Sequence, residues 1–459
     1  MGAGQRTVVV GAGSVGLAAA RLLAQRGAEV VVLESAPAPG GTWSSFEAAA
    51  GLRFDRGIRL GMSTGDARLD RAVYGSLDME WTKLEGFARE GHVLRGQLST
   101  TNQCPDARLF GPRVTNRALL EMHRASDGAR PVNLAQTLTQ KFGETLTNAI
   151  YRPFFRKVTG VELEALSPDA DRYYVPSRVT ITDRGQTERH MRESSRLRAR
   201  LAHPSSRGLP APGRAFYYPA HGAMGGWIQA AANDLERQSN VQIHYGANVE
   251  RLVREGGRVS GVELSDGRLI GCDGVFWSRP AVTLAKAAKM VVPAVRPVFR
   301  DLAVVHLVAD HEPATDVMFA PFYDESSTIH RAFFYREVRA NASKLERRAM
   351  TCEVVLAPDA ELDQSELARR VLCELREAGL MPRDAWLERA WVERFPKTFP
   401  VPTPELADAE RAVRASLAEL ENVAVVSRTP QTPFLESLLR ATDREVSRLL
   451  GCAPVARAA

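Results

Sequence analysis

The run VVVGAGSVGLAAARLLAQRGAEVVVLE, residues 8–34, restricts what this chain can fold into more than any other stretch. Residues 7–10 form a short β-branched run that ends at Gly11, the pattern of a buried parallel strand. Gly11, Gly13 and Gly16 follow at G-x-G-x-x-G spacing, and Leu17, Ala20, Leu23 and Ala24 then recur at helical intervals. Residues 29–33 return as a second strand that closes on Glu34. In such a unit the first glycine permits a tight turn. The second lets the backbone approach a pyrophosphate, and the third lets helix pack on strand. The helix start, with Ser14 and Val15, aims unpaired N–H groups at the phosphates. Glu34 stands where an acid accepts ribose hydroxyls, and its charge opposes a 2′-phosphate, which disfavours NADP. The unit therefore predicts a bound dinucleotide and leaves NAD and FAD open.

The bulk properties exclude several classes. A chain of 459 residues, 44% hydrophobic and 25% charged, can bury a large core in two or three domains. Lys and Arg number 60 against 54 Asp and Glu, a net charge of +6, so nucleic-acid binding would need a localised basic patch. The stretch at 183–214 is the one strongly basic segment, with Arg184, Arg189, Arg192, Arg196, Arg198, Arg200, Arg207 and Arg214. It lacks interleaved aromatics to stack bases, and reads as a solvated helix and loop, or as a lid that clamps an anionic group. Five scattered cysteines without a C-x-x-C pair indicate neither a disulfide framework nor a zinc site, and no metal is expected. No apolar run reaches the roughly 20 residues of a membrane span. A signal-peptide reading of the N terminus would cut away the glycine turn. Met1-Gly2 lacks the Ser or Thr of a myristoylation site, Arg6 standing there instead. A cytoplasmic protein is the expectation.

The next motif separates the cofactors. The segment SAPAPGGTW places Gly40-Gly41-Thr42 just after the acid, and here the chain resembles the FAD-dependent amine oxidase superfamily. In that superfamily the acid is followed by a short loop and a second glycine pair. The resemblance continues through LRFDRGIRLG, where Asp55 and Gly57 match a segment beside the flavin ring and Ile58-Arg59 depart from the usual Gly-His or Gly-Ala. Residues 114–147 are helical in pattern, with Asn133 as a cap. Residues 141–176, with Tyr151-Arg152-Pro153, Lys157 and Gly160, resemble the helical substrate domain of protoporphyrinogen oxidases, carotenoid desaturases and UDP-galactopyranose mutase-like flavoproteins. FYYPAHGAMGGW resembles a loop returning to the cofactor domain. A strand series follows with hairpin signals at Glu255-Gly256-Gly257 and Asp266-Gly267. FPKTFPVPTPE resembles a proline-bearing segment that crosses beside the flavin, and Ser427-Arg428 precede a last helix expected to start near Thr432 and Pro433.

The resemblance implies an α/β fold: a Rossmann-like FAD/NAD(P)-binding domain assembled from residues 1–75, 215–295 and 395–459, with an inserted α+β substrate domain at 76–214 and 296–394. It implies non-covalent FAD held by Gly11, Gly13, Ser14, Val15, Gly16, Glu34, Ser35, Gly41, Thr42, Gly57, Ile58, Arg59, Val249, Ser427, Arg428, Thr432, Pro433 and Phe434. No second G-x-G-x-x-G follows a strand, so a separate NAD(P)H module is not expected. The leading function is an oxidase or desaturase that moves a hydride from a C–H bond of a small-molecule substrate, anionic or carrier-linked, to the flavin, with oxygen or a carrier as electron acceptor. Arg59 and Arg331 are candidates for an anionic substrate group, and Lys157, His221 and His330 for a base. The alternatives are a redox-neutral sugar mutase and a non-catalytic FAD-binding protein.

Overall fold

A computed structural model describes residues 4–75, 77–85, 89–125, 128–174, 176–205 and 215–451. Arg207, Arg214 and Cys452 lie outside the described residues.

The valine-rich run Arg6–Val10 is the middle strand of a five-stranded parallel sheet, because Val8, Val9 and Val10 are buried on both faces. Glu29–Glu34 and then Val241–Tyr245 pair on one side of it, and Gly274–Trp277 and Val423–Val425 on the other. The helix Ser14–Gln25 covers one face together with Gly225–Glu236 and the last helix, Leu435–Leu449. An antiparallel meander, Val249–Glu255, Arg258–Leu264 and Leu269–Gly271, covers the other, and its turns fall at the two hairpin signals in the sequence. One sheet thus collects strands separated by more than 400 residues of sequence.

A second sheet is antiparallel, in the order Phe319–Pro321, Arg331–Phe334, Ala349–Leu356, Phe299–Ala309, Leu387–Pro400. The helix Gln364–Glu377 closes one face with Leu367, Val371 and Leu375. Its other face meets the two-stranded ribbon Ser45–Glu47/Arg53–Asp55, where Phe46 and Phe54 stack on His306. The helices Pro112–Arg124, Leu134–Leu146 and Arg152–Thr159 pack beside this sheet around Phe142, Tyr151, Phe154 and Phe155. Asn133 caps the second of them by accepting from the Gln136 N–H. The basic stretch forms two helices, Arg184–Glu193 and Ser195–Arg200.

Two sequence expectations shift. The proline-bearing segment FPKTFP finishes the strand Leu387–Pro400, which runs across the expected boundary at 394/395 and tolerates Pro396 and Pro400 because it is an edge strand. The last helix starts at Leu435 with Phe434 as its N-cap, two residues later than expected, because the Thr432 hydroxyl bonds back to the Ser427 carbonyl and keeps Thr432 in the preceding turn.

Candidate active site

Three glycines in one motif have three different reasons to be glycine. Gly11 has φ +100°, and a Cβ there would lie 2.5 Å from Ser278 Oγ. At Gly16 a Cβ would lie 1.8 Å from the Gly11 carbonyl oxygen, so helix and strand can approach only without it. Gly13 differs: its backbone is ordinary, φ −85° and ψ −175°, and a Cβ would meet only the Gly40 carbonyl oxygen, 3.9 Å away. Nothing in the chain requires glycine at 13. The space a side chain would take lies open at the start of the helix Ser14–Gln25, whose N-cap supplies no side-chain acceptor. A ligand phosphate satisfies both conditions, so the residues present fit a dinucleotide pyrophosphate there.

The second glycine pair forms the other wall. The Gly40 N–H donates to the Ala12 carbonyl at 3.1 Å. Gly41, at φ +56°, would carry a Cβ 3.7 Å from Gly13 Cα, and Gly41 and Thr42 are exposed along the same opening. Glu34 ends its strand beside this loop. Its carboxylate accepts from the Ala12 N–H at 2.7 Å and the Ala36 N–H at 2.8 Å, with Ser35 Oγ at 3.3 Å, so it braces the glycine turn. The Glu34 carbonyl accepts from the Ala247 N–H, which sets the buried Val249 just beyond it. Ser427, Arg428, Thr432, Pro433 and Phe434 share one tight turn between the strand Val423–Val425 and the last helix, closed by Thr429 and Thr432.

Where the two sheets meet, the chain places a charged cluster. Gly57 adopts φ +94°, and a Cβ there would come within 2.9 Å of Glu353 Oε1. That oxygen accepts from the Ile58 N–H at 2.8 Å. The other carboxylate oxygen accepts from Arg331 Nε at 2.7 Å and also from its Nη2. Arg59 lies alongside, donating to the Thr42 and Ile58 carbonyls at 2.7 and 3.0 Å. Arg428 donates to the Pro433 and Tyr173 carbonyls at 3.0 and 3.2 Å and covers the Tyr173 ring. Burial lowers the Arg59 pKa, with Glu353 opposing and Arg331 adding to the effect. Burial also lowers that of Arg428, reinforced by Arg331. Arg331 is bonded to the fully buried carboxylate of Glu353 and Arg59 lies in its field, while Arg428 stands in the field of Arg59 and Arg331 and is held by backbone carbonyls.

Behind this cluster lie two of the three candidate bases. Lys157 Nζ donates to the Phe322 and Ile329 carbonyls at 2.6 and 3.2 Å, and burial pulls its pKa down to about 7. His330 is buried against Phe154, and its Nδ1 has no hydrogen-bond partner among the described residues. Burial, then the charges of Arg331 and Lys157, push its pKa well below 6.5, so the imidazole is neutral. His221 is a correction: it stands on the surface, 3.7 Å from Glu80, and the structure does not bring it to the others.

Sequence reading missed Glu353. Its signal was a single acid inside the apolar strand AMTCEVVL, since a charge buried in a sheet must have partners. Asp55 is buried too, accepting from the Tyr218 hydroxyl at 2.6 Å and the Met224 N–H at 2.7 Å. Burial pushes its pKa from 3.8 up to about 6 despite those bonds. A carboxyl with a raised folded pKa contributes most below the unfolded value, and that contribution is lost as pH rises to the folded one. Asp55→Asn is therefore expected to gain up to about 3 kcal/mol relative to the parent between pH 4 and 6, and to hold that gain above pH 6. Urea melts of both proteins across this range check it; a difference that does not change with pH would show that Asp55 is ionised throughout.

The parallel sheet, its glycine turn and the antiparallel sheet packed over its carboxyl edge define a dinucleotide-binding α/β protein with an inserted domain. Residues 9–74 match the NAD(P)-binding Rossmann-like domain family. The chain is 28% identical over 301 residues to a zeta-carotene-forming phytoene desaturase of Myxococcus xanthus, covering 60% of this chain and 53% of that protein. It is 29% identical over 300 residues to a hydroxyneurosporene desaturase of Cereibacter sphaeroides, covering 61% and 57%. The chain thus spans a little over half the length of the curated relatives it matches. Its fold is similar to that of a reduced UDP-galactopyranose mutase, with TM-score 0.71, 19% identity and coverage of 97% and 96%. It is also similar to a cyclohexylamine oxidase of Brevibacterium oxydans, with TM-score 0.61, 15% identity and coverage of 98% and 99%. The fold is that of FAD-binding amine oxidase-type proteins, and the nucleotide-binding N terminus and the desaturase similarity agree with that likeness.

Proposed function

We propose that this protein is an FAD-dependent oxidoreductase, an oxidase or desaturase acting on a C–H bond of a small biosynthetic substrate that carries an anionic group. The observation that supports it best is the continuity of the open Gly13/Gly41 seam with the cluster of Arg59, Arg331 and Arg428, through the bond from Arg59 to the Thr42 carbonyl. Non-covalent FAD would supply the hydride acceptor, with oxygen or a carrier taking the electrons onward. Glycines 11, 13, 16 and 41 leave room for its pyrophosphate, and the turn at residues 427–434 leads into the helix whose positive end faces the interface. Arg59 and Arg331 hold the substrate anion. The aromatic groups Phe154, Tyr174 and Phe399 around His330 exclude water. His330 and Lys157 are the groups able to take a proton, one kept neutral by burial and the other drawn towards pH 7.

The test is anaerobic addition of candidate substrates to the flavin-loaded protein. Direct bleaching of the flavin absorbance is expected. The three-arginine cluster also suits a diphosphate, which favours a redox-neutral sugar mutase as the second reading. Turnover only after dithionite reduction would establish that reading, and neither behaviour would leave a binding protein without catalysis. Arg59→Ala should raise the apparent KM roughly tenfold or more, with a smaller effect on kcat, because a charge-assisted bond is lost from a desolvated site. An unchanged KM would remove Arg59 from substrate recognition.

A further inference from the structure

The net charge of this protein is not spread over its surface. The helices Pro112–Arg124, Arg184–Glu193 and Ser195–Arg200 together carry nine arginines against three glutamates, a surplus equal to the net charge of +6 of the whole chain. All other residues together are electrically balanced. The two arginine-bearing elements rise from one knot of backbone, where Asp106 bridges Thr180 and Val179 bridges Leu201. They touch again where His123 and His190 pack edge to face at 5.2 Å.

The exposed side of the first helix has a definite composition. Arg113, Arg117, Leu120 and Arg124 recur at i, i+4, i+7 and i+11 and share one stripe, all of them exposed. Leu120 is 48% exposed in the middle of it, and Val132, 66% exposed, follows the helix. Arg184, Arg189, Arg192 and Arg198 are exposed on the neighbouring helices. The glutamates offset part of this field and leave the surplus of six: Glu121 accepts from Thr145 and pairs with Arg117 at 3.0 Å, Glu188 pairs with Arg184 at 3.1 Å, and Glu193 is exposed.

We infer that this face docks on a membrane surface rich in anionic lipid headgroups. Distributed arginines with a projecting leucine match a plane of headgroup charge above an acyl layer, where each cation adds a similar increment and one apolar side chain can enter the boundary. None of the three helices carries Phe, Trp or Tyr, so stacking on nucleic-acid bases is not served. A protein partner would need a buried apolar core larger than Leu120 and Val132 provide. The docking is peripheral: among the described residues no helix is long and apolar enough to cross a membrane.

The test is co-sedimentation of the full-length protein with phosphatidylcholine vesicles, with and without about one-third phosphatidylglycerol, at low and high salt. The protein should pellet with the anionic vesicles only and be released by salt. The quadruple variant R113Q/R117Q/R189Q/R192Q should bind them at least about tenfold more weakly, since each arginine near the surface contributes on the order of a few-fold. Leu120→Asp should weaken binding further where Leu120→Ala does so mildly. All four arginines and Leu120 are exposed, so an unaltered thermal midpoint is expected in every variant. Equal binding to neutral vesicles, retention in high salt by the parent protein, or binding unaffected by the quadruple variant would overturn the inference. So would Leu120→Asp binding as the parent does while a double-stranded oligonucleotide displaces the vesicles, an outcome that assigns the face to a polyanion.

Discussion

Glu353→Ala should destabilise the protein by about 3–5 kcal/mol, the cost of removing one member of a buried ionic cluster. The carboxylate is fully buried, accepts from the Ile58 N–H and from Arg331, and lies against Gly57 and Arg59. Its loss leaves two guanidinium groups repelling each other at a desolvated interface and an unpaired backbone donor in the turn at residues 57–59. Glu353→Gln should fall between parent and alanine, because an amide oxygen still accepts from Ile58 but no longer neutralises Arg331. Urea melts of the three proteins read this ordering. A loss under about 1 kcal/mol for the alanine variant would mean that Arg331 simply turns to solvent, and the cluster would not be a unit.

The second large effect is a contrast between two glycines three residues apart. Gly16→Ala should cost more than about 3 kcal/mol and lower expression of folded protein, since the new methyl group coincides with the Gly11 carbonyl and helix and strand must separate. Gly13→Ala should change the stability of the cofactor-free protein by about 1 kcal/mol or less, because its backbone is ordinary and the space is open. It should nevertheless weaken FAD binding at least about tenfold, as the methyl group takes the place of a phosphate oxygen close to the helix start. Flavin fluorescence titration and thermal melts of the cofactor-free forms separate the two. Equal FAD affinity for Gly13→Ala and parent would place the pyrophosphate elsewhere.

Legibility varied along the chain for identifiable reasons. The unit at residues 8–34 was readable because all its constraints are local: β-branched strand, glycine spacing, apolar helix stripe and closing acid lie within 27 consecutive residues. The meander hairpins and the Asn133-capped helix Leu134–Leu146 were readable on the same ground, as turn residues, caps and helical periodicity act over a few positions. The start of the last helix was misplaced by two residues because a single hydroxyl, that of Thr432, chose to close the preceding turn. His221 was named for its chemistry alone, and chemistry without position put a surface histidine among candidate bases.

What the sequence determined by itself is the nucleotide-binding unit, since a pyrophosphate needs bare backbone at fixed spacing and only glycine at those positions provides it. What the tertiary structure decided is the charged centre and the charged face. Arg59, Glu353, Arg331 and Arg428 come from four places spread over nearly 370 residues, and no local pattern could announce that one carboxylate answers two guanidinium groups with a third beside them. Likewise the basic segment at 183–214 is legible in the sequence, but only folding brings the arginines of the distant helix Pro112–Arg124 to its side. Electrostatic fields depend on distance through space, and sequence separation is blind to it.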